Sequence, residues 1–79
     1  MSNGVIWRPA VEYKTNCAKW WVGRRVRLMR NLTTRGGNTY RKGRIAKVSR
    51  KFGGLTLEGR NMRITRVGYW GIDVDTTSP

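Results

Sequence analysis

Short runs in which apolar and polar residues alternate recur along most of this chain. In Arg24 to Arg30 (RRVRLMR), Val26 and Leu28 alternate with Arg25, Arg27 and, past a slight irregularity, Arg30, the two-residue period of a half-buried strand. The stretch Asn31 to Lys42 contains Gly36-Gly37-Asn38 and reads as a long loop or an irregular hairpin. In RIAKVSR, Ile45 and Val48 stand three apart, so a strand that points both inward must bend or bulge between them. Phe52-Gly53-Gly54 then makes a turn, Leu55 and Leu57 point inward, and Gly59-Arg60-Asn61 turns again. Met62 and Ile64 face the core, and Trp70, Ile72 and Val74 form a last alternating run.

Upstream, neither period is clean. Arg8-Pro9 interrupts any early helix, a short helical turn is expected after Pro9, and an extended segment is expected into Trp20 and Trp21, with their rings on opposite faces. Five short β-runs with glycine turns, and no stretch long enough for an amphipathic helix, predict an all-β domain closed or partly closed into a small barrel. A chain of 79 residues holds one such core. The expected division is an N-terminal extension over 1–22 packing on the barrel, the barrel itself over 23–75, and a flexible tail over 76–79.

Composition adds a charge problem. Lys and Arg number 17 against 4 Asp and Glu, for a net charge of +13. The segment Arg24 to Arg66 carries that whole surplus, with Glu58 as its only acid, while the cations and acids outside it cancel. Because apolar strand positions run through the same segment, the charge belongs to the folded body and not to a disordered tail. Self-repulsion of this size opposes a compact state unless a polyanion relieves it, which points to nucleic acid ahead of a membrane surface. Arg exceeds Lys, and the planar guanidinium is bidentate toward phosphate and stacks on bases.

Other chemistry finds little support. With no His, one Cys and scattered acids, the chain lacks the usual general base and metal ligand, can assemble no zinc site by itself and has no His to activate a Ser or Cys, and neither catalysis nor a cofactor is expected. Cys17, alone, is expected as a small buried or half-buried apolar residue in a reducing interior. No apolar stretch approaches a membrane span and no leader is evident, so an intracellular, cytoplasmic location away from membranes is expected.

The residues VGRRVRLMRN, followed by RKGRIAKVSRKFGGLTLEGRNMRI, resemble the KOW motif of SH3-like barrels found in a large-subunit ribosomal protein and in NusG-type transcription factors. Gly23, Val26, Leu28, Gly43, Ile45, Val48, Leu57, Glu58, Gly59 and Asn61 stand at matching positions, so the likeness covers roughly residues 22–64. The loop from Asn31 to Lys42 is longer than the motif's usual tight turn. The resemblance implies a five-stranded SH3-like barrel with an irregular N-terminal segment. It also implies RNA as ligand, with a ribosomal or polymerase assembly as the setting.

The candidate interface has three parts. On the strands, alternation sends Arg25 and Arg27 outward, with Thr56, Arg63 and Arg66 on later runs, and Arg44, Lys47, Arg50, Lys51 and Arg60 join them as phosphate contacts. Replacing Arg44, Lys47, Arg50 and Lys51 by Gln is expected to weaken binding and spare the fold. In the loop, Gly36 and Gly37 are expected to offer an anion nest flanked by Arg35, Arg41 and Lys42. Among aromatics, Tyr40 and Phe52 are expected to stack on bases, while Trp70 and one of Trp20 and Trp21 fill the core.

Two alternatives share this surface: a DNA-binding architectural protein wedging Trp20, Met29 or Phe52 into the minor groove, and a module that inhibits or recruits an acidic protein. A four-chain enzyme resembling the small plasmid-borne dihydrofolate reductases is disfavoured, since no Val-Gln-Ile-Tyr segment occurs. Base specificity and oligomeric state are not written in the sequence.

Overall fold

The computed structural model describes residues 4–77, so the expected loose end at 1–3 and the last two tail residues, 78–79, lie outside the described residues. In chain order come β1 (Trp7–Pro9), a 3-10 turn (Ala10–Tyr13), the one-turn helix α1 (Ala18–Trp21), β2 (Arg25–Leu28), β3 (Leu32–Thr33) and β4 (Thr39–Tyr40). Then follow β5 (Ile45–Lys51), β6 (Leu55–Gly59), β7 (Met62–Val67) and β8 (Ile72–Asp75). The domain is all-β, and no described helix is long and apolar enough to cross a membrane. The five strands expected from alternation are β2, β5, β6, β7 and β8. The other three come from segments whose period was unclear.

Six strands form one antiparallel sheet in the order β1-β8-β2-β5-β6-β7, and β3 with β4 forms a separate two-stranded hairpin. The last strand therefore returns to lie beside the first of the expected five. No ladder joins β7 to β1 among the described residues, so the sheet is open in its pairing where a closed barrel would be sealed. The N-terminal segment attaches as an edge strand: β1 pairs with β8, and Thr76 beyond β8 still donates its amide to the Ile6 carbonyl at 2.9 Å. Thr77, in the expected tail, accepts from the Ile6 amide through its hydroxyl at 2.9 Å.

The core is made by the inward sets of these strands: Val26 and Leu28, Ala46 and Val48, Leu55 and Leu57, Met62, Ile64 and Val67, and Ile72 and Val74. Ile45 is not among them. Residues directly opposite across a ladder share a face, and the register sets Val26 against Ala46 and Arg27 against Ile45. Ala46 therefore goes inward and Ile45 is 49% exposed, a correction to the expected inward pair Ile45 and Val48.

The strand does bulge, but one step later, where Val48 opposes Leu57 and Arg50 opposes Thr56, leaving Ser49 as the extra residue. A second bulge lies on β7 between Ile64 and Val67. Bulges on both neighbours curl the sheet about β6, and Thr56, expected on the solvent face, is buried between Leu55 and Leu57.

Trp20 and Trp21 are helical and not extended. Cys17 caps α1, its carbonyl accepting from the amides of Trp20 and Trp21 at 3.0 and 3.3 Å. Neighbours on a helix point about 100° apart, so one ring enters the core while the other lies along its edge. Trp21 is fully buried, with its indole N–H donating to the Tyr13 carbonyl at 3.0 Å. Trp20 is half-buried, stacked on Tyr13 at 5.0 Å between centroids, and Arg24 covers it at 4.0 Å. Cys17 is exposed, contrary to expectation, because the cap position lies at the surface end of the turn. Trp70 is 73% exposed, since alternation in the last strand begins only at Ile72, after the turn at Gly71.

Two substitutions separate core from surface tryptophan. Trp21→Ala should lose about 3 to 5 kcal/mol, most of the stability of so small a domain. Trp70→Ala should stay within about 0.5 kcal/mol of wild type, as surface changes do. Urea unfolding followed by far-UV circular dichroism measures both.

Candidate nucleic-acid interface

The outward face of the sheet is where the sequence expects free arginines, and strand pairing changes that expectation. Across the ladders Asp73 opposes Arg27, Arg25 opposes Lys47, Lys47 opposes Glu58, and Glu58 opposes Arg63. Arg25 Nη2 lies 3.1 Å from Asp75 Oδ2, Arg27 Nη2 lies 3.4 Å from Asp73 Oδ2, and Arg63 Nε lies 3.5 Å from Glu58 Oε2. The remaining acid, Glu12, meets Arg8 at 3.4 Å. All four acidic side chains are thus paired. Arg25, Arg27 and Arg63 keep acidic neighbours and are weaker phosphate candidates than their sequence position implies. Arg27 is the most confined: Trp7 covers its guanidinium at 4.8 Å, and its Nε is buried without a partner among the described residues.

Asp75 is the best-held of the acids. Burial opposes its ionisation, but hydrogen bonds from Thr77 and Arg25, together with the Arg25 charge, outweigh that and hold its carboxyl below the usual carboxylate range. The Thr77 amide donates to Oδ1 at 2.9 Å, so the same side chain also fixes the chain beyond β8.

Three further cations are engaged by backbone carbonyls. Lys51 Nζ donates to the carbonyl of Lys14 at 2.8 Å and to that of Asn16, tying the turn before α1 to the end of β5. Arg44 Nη2 donates to the Arg60 carbonyl at 2.6 Å, joining the start of β5 to the β6–β7 turn. Arg24 Nε donates to the Trp20 carbonyl at 2.8 Å. Lys51 and Arg44 therefore act as tethers, and replacing them by Gln removes structural bonds as well as charge. That corrects the expectation that Arg44, Lys47, Arg50 and Lys51 are all dispensable to the fold. Lys47 and Arg50 have no such bond among the described residues, and Arg50 lies 5.5 Å from the Phe52 ring.

The loop Asn31 to Lys42 is an ordered hairpin. Leu32 pairs with Tyr40 across β3 and β4, and both side chains pack on the core, which pins the hairpin to the sheet. At its tip the Gly37 amide donates to the Thr34 carbonyl at 3.0 Å and the Asn38 amide to the Thr34 hydroxyl at 3.3 Å. Those two amides close the turn on itself, so the Gly37 amide of the expected anion nest is already engaged. What the tip offers is the exposed side chain of Arg35. Arg41 and Lys42 are exposed on the following turn, where the Lys42 amide donates to Asn31 Oδ1 at 2.9 Å, and Arg60 is exposed on the turn after β6.

Between this hairpin and β7 runs a groove of about 730 Å³. Its walls carry Arg30, Arg35, Arg63 and Arg66, with Tyr40 half-buried in the lining, and no Asp or Glu among the described residues lines it. The neighbouring clefts differ in this respect: one contains Asp75 and another Glu58. Arg30 is the residue that sequence reasoning left out of the interface, and Arg66, expected outward on its strand, stands in this lining. Arg66 sits in the bulge of β7 with φ 56°, a left-handed conformation unusual for a residue with a long side chain. The bulge re-aims it, and the three-residue spacing of Ile64 and Val67 is the signal that betrays this. Arg30 follows the last residue of β2 by two positions, where alternation has already stopped.

Asp75→Asn should lower stability at pH 7 by about 1 to 3 kcal/mol, through loss of a charge-assisted bond to a mostly buried group. A depressed carboxylate stabilises the fold fully above its unfolded value of about 4, and that contribution fades as the pH falls through the lower folded value. The wild-type melting temperature should accordingly fall more steeply than the variant's below pH about 4, as read by thermal melts at several pH values. Compared with protein-family models, curated proteins and solved structures, the chain matches none.

Proposed function

We propose that this protein binds nucleic acid, and that the arginine groove between the β3–β4 hairpin and β7 is its main contact surface. The observation that carries this is the distribution of acids. Every acidic side chain is paired elsewhere or with Arg63 at the rim, while Arg30, Arg35 and Arg66 face the groove with no described acid in its lining. A cleft of one sign with low-dielectric walls concentrates the field and draws in polyanions. Guanidinium suits phosphate in particular, being bidentate and weakly hydrated.

Arg35 and Tyr40 remain in the binding set. Arg41, Lys42, Lys47, Arg50 and Arg60 are exposed outside the groove lining and add to the general positive field, and Arg25, Arg27, Arg44 and Lys51 pass to structural roles. The KOW likeness of residues 22–64 favours RNA in a ribosomal or transcription assembly. The identity of any polynucleotide that copurifies at low salt separates RNA from DNA.

If the groove neutralises about four phosphates, log affinity should fall with log salt at a slope near −3 on single strands and near −4 on duplex DNA. Arg35→Gln with Arg66→Gln should reduce that slope by about 2, one for each phosphate no longer neutralised. Lys19→Gln, an exposed cation beyond the groove, should leave it nearly unchanged. Fluorescence anisotropy of labelled oligonucleotides across a salt series measures all three. Affinity indifferent to salt, or an equal effect from Lys19→Gln, would overturn the reading.

A further inference from the structure

The two most exposed large hydrophobic side chains among the described residues are aromatic, and both stand on turns that abut the arginine groove. Phe52, 78% exposed, lies on the turn between β5 and β6. That turn closes with Gly54 at φ +118°, so near β7 that a Cβ there would stand 3.0 Å from the Arg66 Cα. Trp70, 73% exposed, follows Gly68, itself in the groove lining, and precedes Gly71, where a Cβ would fall on the Arg30 side chain. One aromatic turn is thus packed on Arg66 and the other on Arg30. Tyr40 adds a third ring from within the lining, with the Arg44 guanidinium 5.6 Å from it.

Neither exposed ring belongs to the core, and Phe52 meets only the Arg50 guanidinium, at 5.5 Å, among the described residues. The core is complete without them, and a chain this small has every reason to bury a Trp and a Phe where it can. Rings left in water beside arginines that no acid neutralises match one ligand chemistry: charged phosphates alternating with flat bases whose faces are free. Duplex bases are stacked on each other and show only their edges, so a protein ring gains most from a strand that is unpaired. The groove volume also suits a few nucleotides of one strand better than the body of a helix.

Resting on the nucleic-acid reading above, we propose that the groove takes single-stranded nucleic acid, with phosphates along Arg30, Arg35 and Arg66 and bases stacked on Trp70 and Phe52. Stacking accepts any base face, so binding should show little sequence preference.

The test compares four probes on the full chain at low salt: a 12-nucleotide oligouridylate, a 12-nucleotide oligodeoxythymidylate, a 12-base-pair duplex, and linear polyphosphate. Both single strands should bind more tightly than the duplex and quench tryptophan fluorescence. Trp70→Ala and Phe52→Ala should each weaken single-strand binding by about fivefold or more, the lower end of what a stacked base contributes. Neither should change affinity for polyphosphate, which has charge and no bases. Trp70→Ala should also remove most of the quench, a readout that a general loss of fold would not single out, and circular dichroism checks the fold directly.

Duplex bound as tightly as single strands, with no dependence on Trp70 or Phe52, would overturn this proposal and leave the nucleic-acid reading standing. Polyphosphate bound as tightly as the strands would do the same to the stacking claim. Failure to bind any polynucleotide, or preference for an acidic polypeptide such as polyglutamate, would sink both.

Discussion

The pairing of β8 with β2 governs the electrostatics of this domain. Four acidic side chains stand against 17 cations, so the position of each acid decides which cations are neutralised. By returning the last strand to the side of β2, the fold places Asp73 and Asp75 on Arg27 and Arg25, residues some fifty positions earlier in the chain. Glu58 settles on Arg63 from the next strand over. The exposed Arg63–Glu58 pair contributes little stability by itself, and the mostly buried Asp75 carboxylate contributes more. The larger effect of these pairs is spatial, because they draw the compensation onto one face and leave the hairpin side of the molecule unmatched.

A small domain carrying such a surplus needs its cohesion from packing. The sheet supplies alternating aliphatic residues, and the N-terminal segment closes one end with rings: Trp21 meets Trp20 edge-on at 5.0 Å and Tyr69 at 5.5 Å. Cations assist here in ways that have nothing to do with a ligand. Arg24 lies over Trp20, and Lys51 holds the carbonyls ahead of α1. A guanidinium or ammonium with its apolar stem against a ring and its head on a carbonyl is packed as well as charged. Positive charge in this chain therefore falls into two groups, one built into the structure and one left facing solvent.

The groove follows from two departures from regular β geometry. The bulge in β7 turns Arg66 outward in a left-handed conformation, and the hairpin, pinned by Leu32 and Tyr40, brings Arg35 to the opposite wall. Strain of the Arg66 kind costs on the order of 1 kcal/mol or more and persists only where the surrounding structure imposes it. Here Gly54, packed on the Arg66 backbone, and the buried Val67 beyond it impose it, and the side chain that results faces a space free of described acids.

The all-β class, the five main strands and most of the core were set by the sequence itself. Alternation at Val26 and Leu28, Leu55 and Leu57, and Ile72 and Val74 is a local property, and a half-buried strand is the element that satisfies a two-residue period. The glycine turns after Phe52 and Glu58 are equally local. Where the period was broken, local reading failed: Ile45 competed with Ala46 for the core, and only cross-strand register chose between them. Trp20 and Trp21 are helical where an extended run was expected, with the Trp21 indole buried and its N–H on the Tyr13 carbonyl. For the candidate site, Arg35 and Tyr40 were legible from the glycine-rich loop and Arg66 as an outward strand residue, while Arg30 was not. Charge can be counted along a chain, but neutralisation depends on which strands become neighbours, and only the tertiary fold decided that the acids would go to Arg25, Arg27 and Arg63 and leave the groove bare.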